Sequence, residues 1–376
     1  MNRPSAAAGE AQARGLRELP MVRWAKQKLH PITSRLFSRA TLVEGTLKGT
    51  AHPFRCLLVD NSRFTDYLRA RMYDGSPAVL KERRIWIPAL RNVILKEADS
   101  FDLCVAVLPR AYEARFRGLY DFRCTQNVRQ IIDTSGSWED VRGRFSRKKR
   151  QISNDFPAKH GLEYRISSDL GEFEFFYHRM HVPHILKRYG ELSNIESYEE
   201  MKEFFLKGVL LLVTRDQKPV AGALCLVEDG TLIFRRTGVL DGDETHIDGG
   251  AQTALYYFQL RHANESGLRA VDTMKSWPCL DGVYKHKRDW GAAELPDDEA
   301  DTWVYFFNAR PSEKIARFFE GNPLIVSSGE GLKAVIGLGD ATEVSAEAAE
   351  EIASRHRTAG LSGFTIVTRT GTRDVS

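Results

Sequence analysis

Gly249 and Gly250 stand directly before residues 251–266, a stretch with helical spacing that Gly267 is placed to end. The start of a helix leaves backbone N–H groups unpaired and carries partial positive charge. A glycine-led start, with Gln252 in its first turn, can therefore hold a pyrophosphate group; two glycines before a helix also serve simply as a turn. Asp248 beside it opposes an anion. Arg235 and Arg236 end a strand, where successive side chains face opposite ways, so at most one is expected to enter a cleft. That one suits an acidic acceptor such as a carboxylate. Arg142 to Arg150 is the densest run of like charge and reads either as a phosphate-binding surface or as a solvated helix face. His178, His181 and His184 fall loosely on one side of a helix, but without flanking acidic ligands no metal is expected. No G-x-S-x-G, H-E-x-x-H or Walker pattern occurs, which leaves hydrolase, zinc-protease and P-loop readings unsupported.

The elements that must position these residues follow from pattern. Short apolar runs at 54–59, 103–108 and 128–133 read as strands, and Ser137 as the N-cap of a helix through Trp138, Val141 and Phe145. Residues 162–166 resume as a strand, and 169–190 and 196–207 read as helices. Residues 208–215 form a strand, and 220–228 with 231–236 a hairpin around Asp229-Gly230. The Gly-led helix feeds a strand at 268–272 that ends on Asp272, and 302–308 gives another. Beyond residue 321, strands at 324–326, 334–336 and 364–367 with a helix over 346–356 make one βαβ-like unit. The succession predicts an α/β (α+β) fold, with mixed central sheets flanked by helices.

The chain has 376 residues, 42% of them hydrophobic and 28% charged, enough to bury a sizeable core. No run of eighteen apolar residues occurs, so an integral helical membrane protein is excluded. The net charge of +4 is unevenly placed: residues 1–40 hold eight basic and two acidic residues, leaving the rest slightly acidic. General nucleic-acid binding is not indicated. Residues 1–45 read as a mobile basic arm, with apolar residues that suit peripheral contact with an anionic membrane or a targeting role. Cys56, Cys104, Cys124, Cys225 and Cys279 form no C-x-x-C pair, and reduced thiols in the cytoplasm, or at the inner face of a membrane, are expected.

Several motifs resemble one superfamily. The hairpin, Gly-led helix and Asp-ended strand between Val220 and Gly291 resemble the central succession of the GNAT acyltransferases. The runs Gln126–Asp133, Trp138-Glu139-Asp140, Ser146–Ile152, Gly250–Leu255, Asp272–Ser276 and Lys287-Arg288-Asp289-Trp290-Gly291 are similar to the FemABX-like branch, which includes cellulose-biosynthesis-type acetyltransferases. Met274 stands where that branch often has glycine, and His286 where an aromatic residue usually precedes the lysine. The resemblance divides the chain into a first GNAT-like half (46–155), a second half with the transfer site (156–320) and an appended module (321–376). It implies an acyltransferase forming an amide between an acyl-thioester donor, acyl-CoA or acyl carrier protein, and the amine of an amino acid, amino sugar or cell-envelope precursor. The donor is then a co-substrate, and no tightly bound cofactor is expected. Aminoacyl-tRNA as donor is the first alternative, although the inserted helical hairpin of such members is absent. A catalytically inactive GNAT-like binding protein is the second.

The same resemblance implies roles. Asp272 orients or deprotonates the amine, or caps the turn that follows it; Lys287 binds a donor phosphate or polarises the carbonyl, or is simply solvated. Tyr284 and Ser276 protonate a leaving thiolate or hold substrate, or stand by as core and turn residues. Gly249, Gly250, Gln252 and Lys287 meet the donor; Arg235, Arg236, Tyr177 and Ser276 meet the acceptor.

Overall fold

The computed structural model describes residues 36–60, 62–190, 195–297, 299–329 and 331–376. They form a mixed α/β fold of three sheets flanked by helices. The first sheet runs Ala78–Trp86 (β3), Phe37–Thr46 (β1), Pro53–Asp60 (β2), Leu103–Pro109 (β4), Thr302–Phe307 (β13), Phe122–Thr125 (β5). The second runs Ala293–Pro296 (β12), Val128–Asp133 (β6), Ala270–Ser276 (β11), Thr231–Val239 (β10), Lys218–Glu228 (β9), Gly208–Arg215 (β8), Leu162–Ser167 (β7). In the third, Leu324–Ser328 (β14) leads to Gly331–Gly337 (β15), then Leu361–Val367 (β16) and Thr372–Val375 (β17). Here β15 and β16 are parallel and joined through the Ala346–His356 helix, which is the βαβ unit the sequence predicts.

The first two sheets share a plan. Each has a single parallel pair, β2 with β4 and β10 with β11; helices connect β10 to β11, and helices together with edge strand β3 connect β2 to β4. Beyond the second member each sheet accepts a strand from far along the chain: β13 enters between β4 and β5, and β6 between β11 and β12. The exchange is reciprocal, so neither sheet closes without the other's chain.

Several sequence expectations appear directly. Ser137 caps its helix, with Asp140 returning the bond in a capping box, and Asp229 and Gly230 turn the β9–β10 hairpin at positive φ. Gly267, at φ 70°, follows the Ala251–Glu265 helix. One expectation needs correcting: residues 37–45, read as arm, belong to β1. This strand pairs with β2 on one side and β3 on the other, and it buries Ser38, Ala40, Thr41 and Val43, which composition alone does not reveal. The membrane contact expected of the arm falls otherwise on residues 1–35, which lie outside the described residues. Among the described residues no helix is long and apolar enough to cross a membrane, and all five cysteines are buried and free.

A π-helical stretch, Phe176–His181, presses on β10 at Gly238. A Cβ there would lie 2.5 Å from both the His181 nitrogen and the Met180 carbonyl carbon, so backbone would have to move. His181 Nδ1 meets the Thr237 carbonyl oxygen at 2.9 Å beside it. Gly238→Ala is expected to lower stability by about 1–3 kcal/mol through overpacking, read as a lower midpoint in urea unfolding.

Candidate active site

Parallel pairing between β10 and β11 stops at Ile233↔Asp272. Immediately beyond it both strands bulge. On β10 the extra residue is Arg235, between the pairs Phe234↔Cys225 and Arg236↔Leu224. On β11, Thr273 and Met274 together oppose Gln130, between Asp272↔Ile131 and Lys275↔Arg129. A bulge bends its strand and adds twist, so paired bulges on adjacent strands part them. The gap opens a cavity of about 940 Å³, within the range of ligand sites. Phe234 to Thr237 line it from β10, Thr273 to Lys275 from β11, and Gln252 and Tyr256 from the helix after the glycine turn. Arg71, from the Phe64–Met72 helix beside the first sheet, closes one side.

Met274 is the hinge of this opening. Its φ of 67° is left-handed, a conformation costing an ordinary residue about 1–2 kcal/mol and glycine little. It occupies the position where the resembling family often carries glycine. Both of its peptide groups are gripped. Asp272 Oδ1 accepts its N–H at 2.8 Å, while Lys287 Nζ donates to its carbonyl oxygen at 2.9 Å and to Ser276 Oγ at 2.7 Å. Arg129 Nη2 meets Asp272 Oδ2 at 2.5 Å, and Ser276 Oγ meets Gln130 Oε1 at 3.1 Å. Burial pulls the Lys287 ammonium down to about 8, against the opposing pull of Asp272 and Asp281.

The residues singled out by sequence therefore separate. Arg235, Arg236 and Gln252 line the cavity, whereas Asp272, Lys287 and Ser276 stand behind it and hold its β11 wall. Both arginines enter, because the bulge at Arg235 breaks the strand alternation that would have turned one away. Arg235 stacks over the Phe204 ring at 4.2 Å, and Arg236 Nε donates to Glu196 Oε2 at 2.6 Å. Tyr177 lies one step back, its hydroxyl donating to the Glu196 carbonyl at 2.9 Å. Tyr284 is buried against Val128, Ile325 and Leu332, away from the cavity, and burial raises its phenol. Gly250, at φ 90°, begins the Ala251–Glu265 helix without a side-chain cap. Gly249 offers its carbonyl to Arg215 Nη2 at 2.8 Å.

Other cavity residues went unassigned in the sequence. Asp281 caps the Gly282–Asp289 helix through Tyr284 N–H (2.9 Å) and accepts the Tyr67 hydroxyl, with Arg71 at 4.0 Å. An Asp-Gly step before a helical run is a readable cap signal, but its tie to Tyr67, 214 residues away, is not. His286 lines the cavity beside Tyr256, with ring centroids 4.6 Å apart. Its Nε2 is buried without a hydrogen-bond partner, and burial, helped by the Lys149 charge, holds the imidazole down to about 4, so it is neutral at pH 7. Among the described residues five cations face this space, Arg71, Arg188, Arg235, Arg236 and Lys275, against one carboxylate, Asp281. Lys275 leans out to Asp297 at 2.9 Å. His178, His181 and His184 do not come together as metal ligands; among the described residues no such cluster occurs.

Two consequences are measurable. Met274→Gly is expected to unfold within about 1 kcal/mol of wild type, because relief of the left-handed residue offsets the lost side chain, whereas Met274→Val should lose clearly more. Between pH 8 and 10.5 an unfolded Lys287 binds a proton that the folded one has released, so wild-type stability rises with pH across that window. The rise, roughly 3 kcal/mol, should be missing from Lys287→Met in denaturant titrations run at successive pH values.

No family model and no curated protein matches the sequence. Among solved structures, the backbone is similar to that of FemX, at 12% identity over 78% of this chain and 92% of that one, with a TM-score of 0.37. It is similar to L-PGS from Bacillus licheniformis, at 12% identity over 67% and 77% of the two chains, with a TM-score of 0.36. It is also similar to a GCN5-related N-acetyltransferase from Kribbella flavida, at 16% identity over 76% and 94%, with a TM-score of 0.29.

Proposed function

We propose that the protein is an acyltransferase that forms an amide, taking the acyl group from a thioester donor, acyl-CoA or acyl carrier protein, and giving it to the amine of an anionic acceptor. The observation that carries this reading is the seam between β10 and β11. Ladder pairing between these two parallel strands ends at Ile233↔Asp272 beside a cavity; with the Met274 peptide groups held by Asp272 and Lys287, the β10 backbone from Phe234 to Thr237 is the part that can receive the carbonyl oxygen of an activated acid. Gln252, which lines the cavity, and the uncapped start of its helix are assigned to the donor's phosphates. Arg235 and Arg236 suit the acceptor's acidic group, with Glu196 and Tyr177 fixing the orientation of Arg236.

In this reading the acceptor nitrogen attacks the carbonyl carbon and the carbonyl π electrons move to oxygen, where the strand amides take up the charge. Collapse re-forms the carbonyl, breaks the carbon–sulfur bond and releases the thiolate. The new N–C bond makes the nitrogen more acidic, and neutral His286 accepts its proton and passes it to the departing sulfur. Asp272, with Arg129 on one oxygen and Met274 N–H on the other, is assigned to positioning, as is Lys287. No resident cofactor enters this scheme. An aminoacyl-tRNA ester would fit the same carbonyl chemistry, and the two donors differ in their test.

Turnover with an acyl-CoA series and candidate amines, followed by mass spectrometry, is expected to survive RNase; loss on RNase treatment would transfer the reading to aminoacyl-tRNA. Arg235→Ala should raise the acceptor KM about tenfold or more with donor binding kept. His286→Ala should lower kcat about a hundredfold. The acceptor must attack as its free amine, so the wild-type rate should fall as pH drops through the amine's own titration, and the rate corrected for the free-amine fraction should stay level until pH approaches about 4, where His286 is protonated. A protein that no donor stabilises in thermal melts would be the inactive binding module instead.

A further inference from the structure

A second cavity, of about 890 Å³, lies at the other end of the Gly282–Asp289 helix, where the third sheet's helix meets the β6–β12 edge of the second sheet. Five arginines reach it from separate parts of the chain: Arg144, Arg269, Arg288, Arg355 and Arg357. Among the described residues two carboxylates, Asp133 and Asp289, line it with them. The excess of charge shows in a neighbour, His356, whose imidazole is held below its ordinary value first by burial and then by Arg288 and Arg355.

The cavity is fixed in shape. Across its floor the Ala359 carbonyl accepts the Glu294 N–H at 3.0 Å, and Thr358 Oγ1 donates to the Ala292 carbonyl at 3.3 Å. Arg288 Nη1 donates to the Arg355 carbonyl at 3.2 Å and joins one wall to the other. Gly291, at φ 85°, lets the Arg144 segment approach, since a Cβ there would lie 2.9 Å from Arg144 Cβ. The floor itself is small residues, including Ala270, Ala292 and Ala293, so a ligand can lie close to backbone.

The carboxylate partners of these arginines are weak holders. Arg144 meets Asp133 at 2.7 Å, Arg355 meets Glu351 at 2.5 Å and Arg357 meets Glu350 at 2.7 Å, all at accessible surface, where ion pairs contribute little. Arg288 reaches Asp289 only at 3.6 Å. Arg269 meets the Asp229 carbonyl oxygen at 3.3 Å and, among the described residues, no carboxylate. Guanidinium groups match phosphate oxygens in paired hydrogen bonds, and cations on two walls ask for an anion with oxygens on two sides. The geometry points to a second ligand site here, for the diphosphate group of a small organic molecule. The half-exposed Leu295 and the side chain of Ile131 give the organic part an apolar edge.

Inorganic pyrophosphate is the probe, titrated into the full chain by calorimetry and thermal melts, with sulfate at matched ionic strength as the comparison. Saturable binding of about one equivalent is expected, weakened at least tenfold by Arg269→Ser and by Arg357→Gln, and kept in Arg235→Ala, which alters the transfer cavity. Adenosine diphosphate should bind at least as tightly as pyrophosphate if the apolar edge is used; weaker binding assigns the site to the free anion and removes the organic part of the proposal. Equal stabilisation by sulfate, no saturable binding, or binding lost in Arg235→Ala and kept in the other two variants would overturn it. Arg269→Ser and Arg357→Gln lie outside the β10–β11 seam, so their outcome is independent of whether acyl transfer occurs.

Discussion

The grip on the Met274 peptide is the interaction on which the rest of the site depends. Two neighbouring parallel strands ordinarily stay paired, because each unmade backbone bond leaves a donor and an acceptor to be satisfied. Here β11 leaves β10 after Asp272, and the peptide groups at the turning point are satisfied from behind by a carboxylate and an ammonium. Both charges are buried, and each is tolerated because it is partnered: Asp272 by Arg129, and Lys287 by a carbonyl and a hydroxyl. Removing either would leave a buried polar group unmatched, a change that in proteins generally is worth about 1–3 kcal/mol. The cavity is thus held open by a polar cluster that does not itself line it.

That cluster exists only because of the reciprocal strand exchange. Arg129 and Gln130 belong to β6, which precedes β11 by some 140 residues of chain, and they reach Asp272, Thr273 and Ser276 because β6 lies beside β11 in the second sheet. Arg71 and Tyr67 come from the helix after β2 and reach Asp281 across the boundary between the first two sheets. Arg129, Gln130, Arg71 and Tyr67 all lie outside residues 156–320, so the cavity is a product of the completed fold and not of that segment by itself.

How much of this was legible follows from the range of each interaction. Period-two apolar runs, the Asp229-Gly230 turn, the Ser137 cap and the Gly267 stop are local, and local chemistry is written in adjacent residues. Edge strand β3 was unreadable because its sequence, Lys81-Glu82-Arg83-Arg84 within an otherwise short run, is that of an exposed edge kept charged against further pairing. β1 was hidden by the basic segment before it. Asp272 and Lys287 could be picked out by type and neighbourhood, but the residue that both of them hold, Met274, is a left-handed methionine that no pattern announces. A glycine at this position would hold the positive φ without strain.

The eight residues from Gly282 to Asp289 connect all three sheets. At the N-terminal end Asp281 ties them to Tyr67 and Arg71 beside the first sheet; midway Lys287 holds the β11 bulge of the second; Tyr284 packs on Ile325 and Leu332 of the third. At the C-terminal end Arg288 reaches the Arg355 carbonyl. A short helix with polar anchors at both ends and an aromatic wedge between them has little freedom to tilt without breaking one of them. Any force that moves the third sheet relative to the second must therefore act on Lys287, and through it on the peptide that keeps β10 and β11 apart.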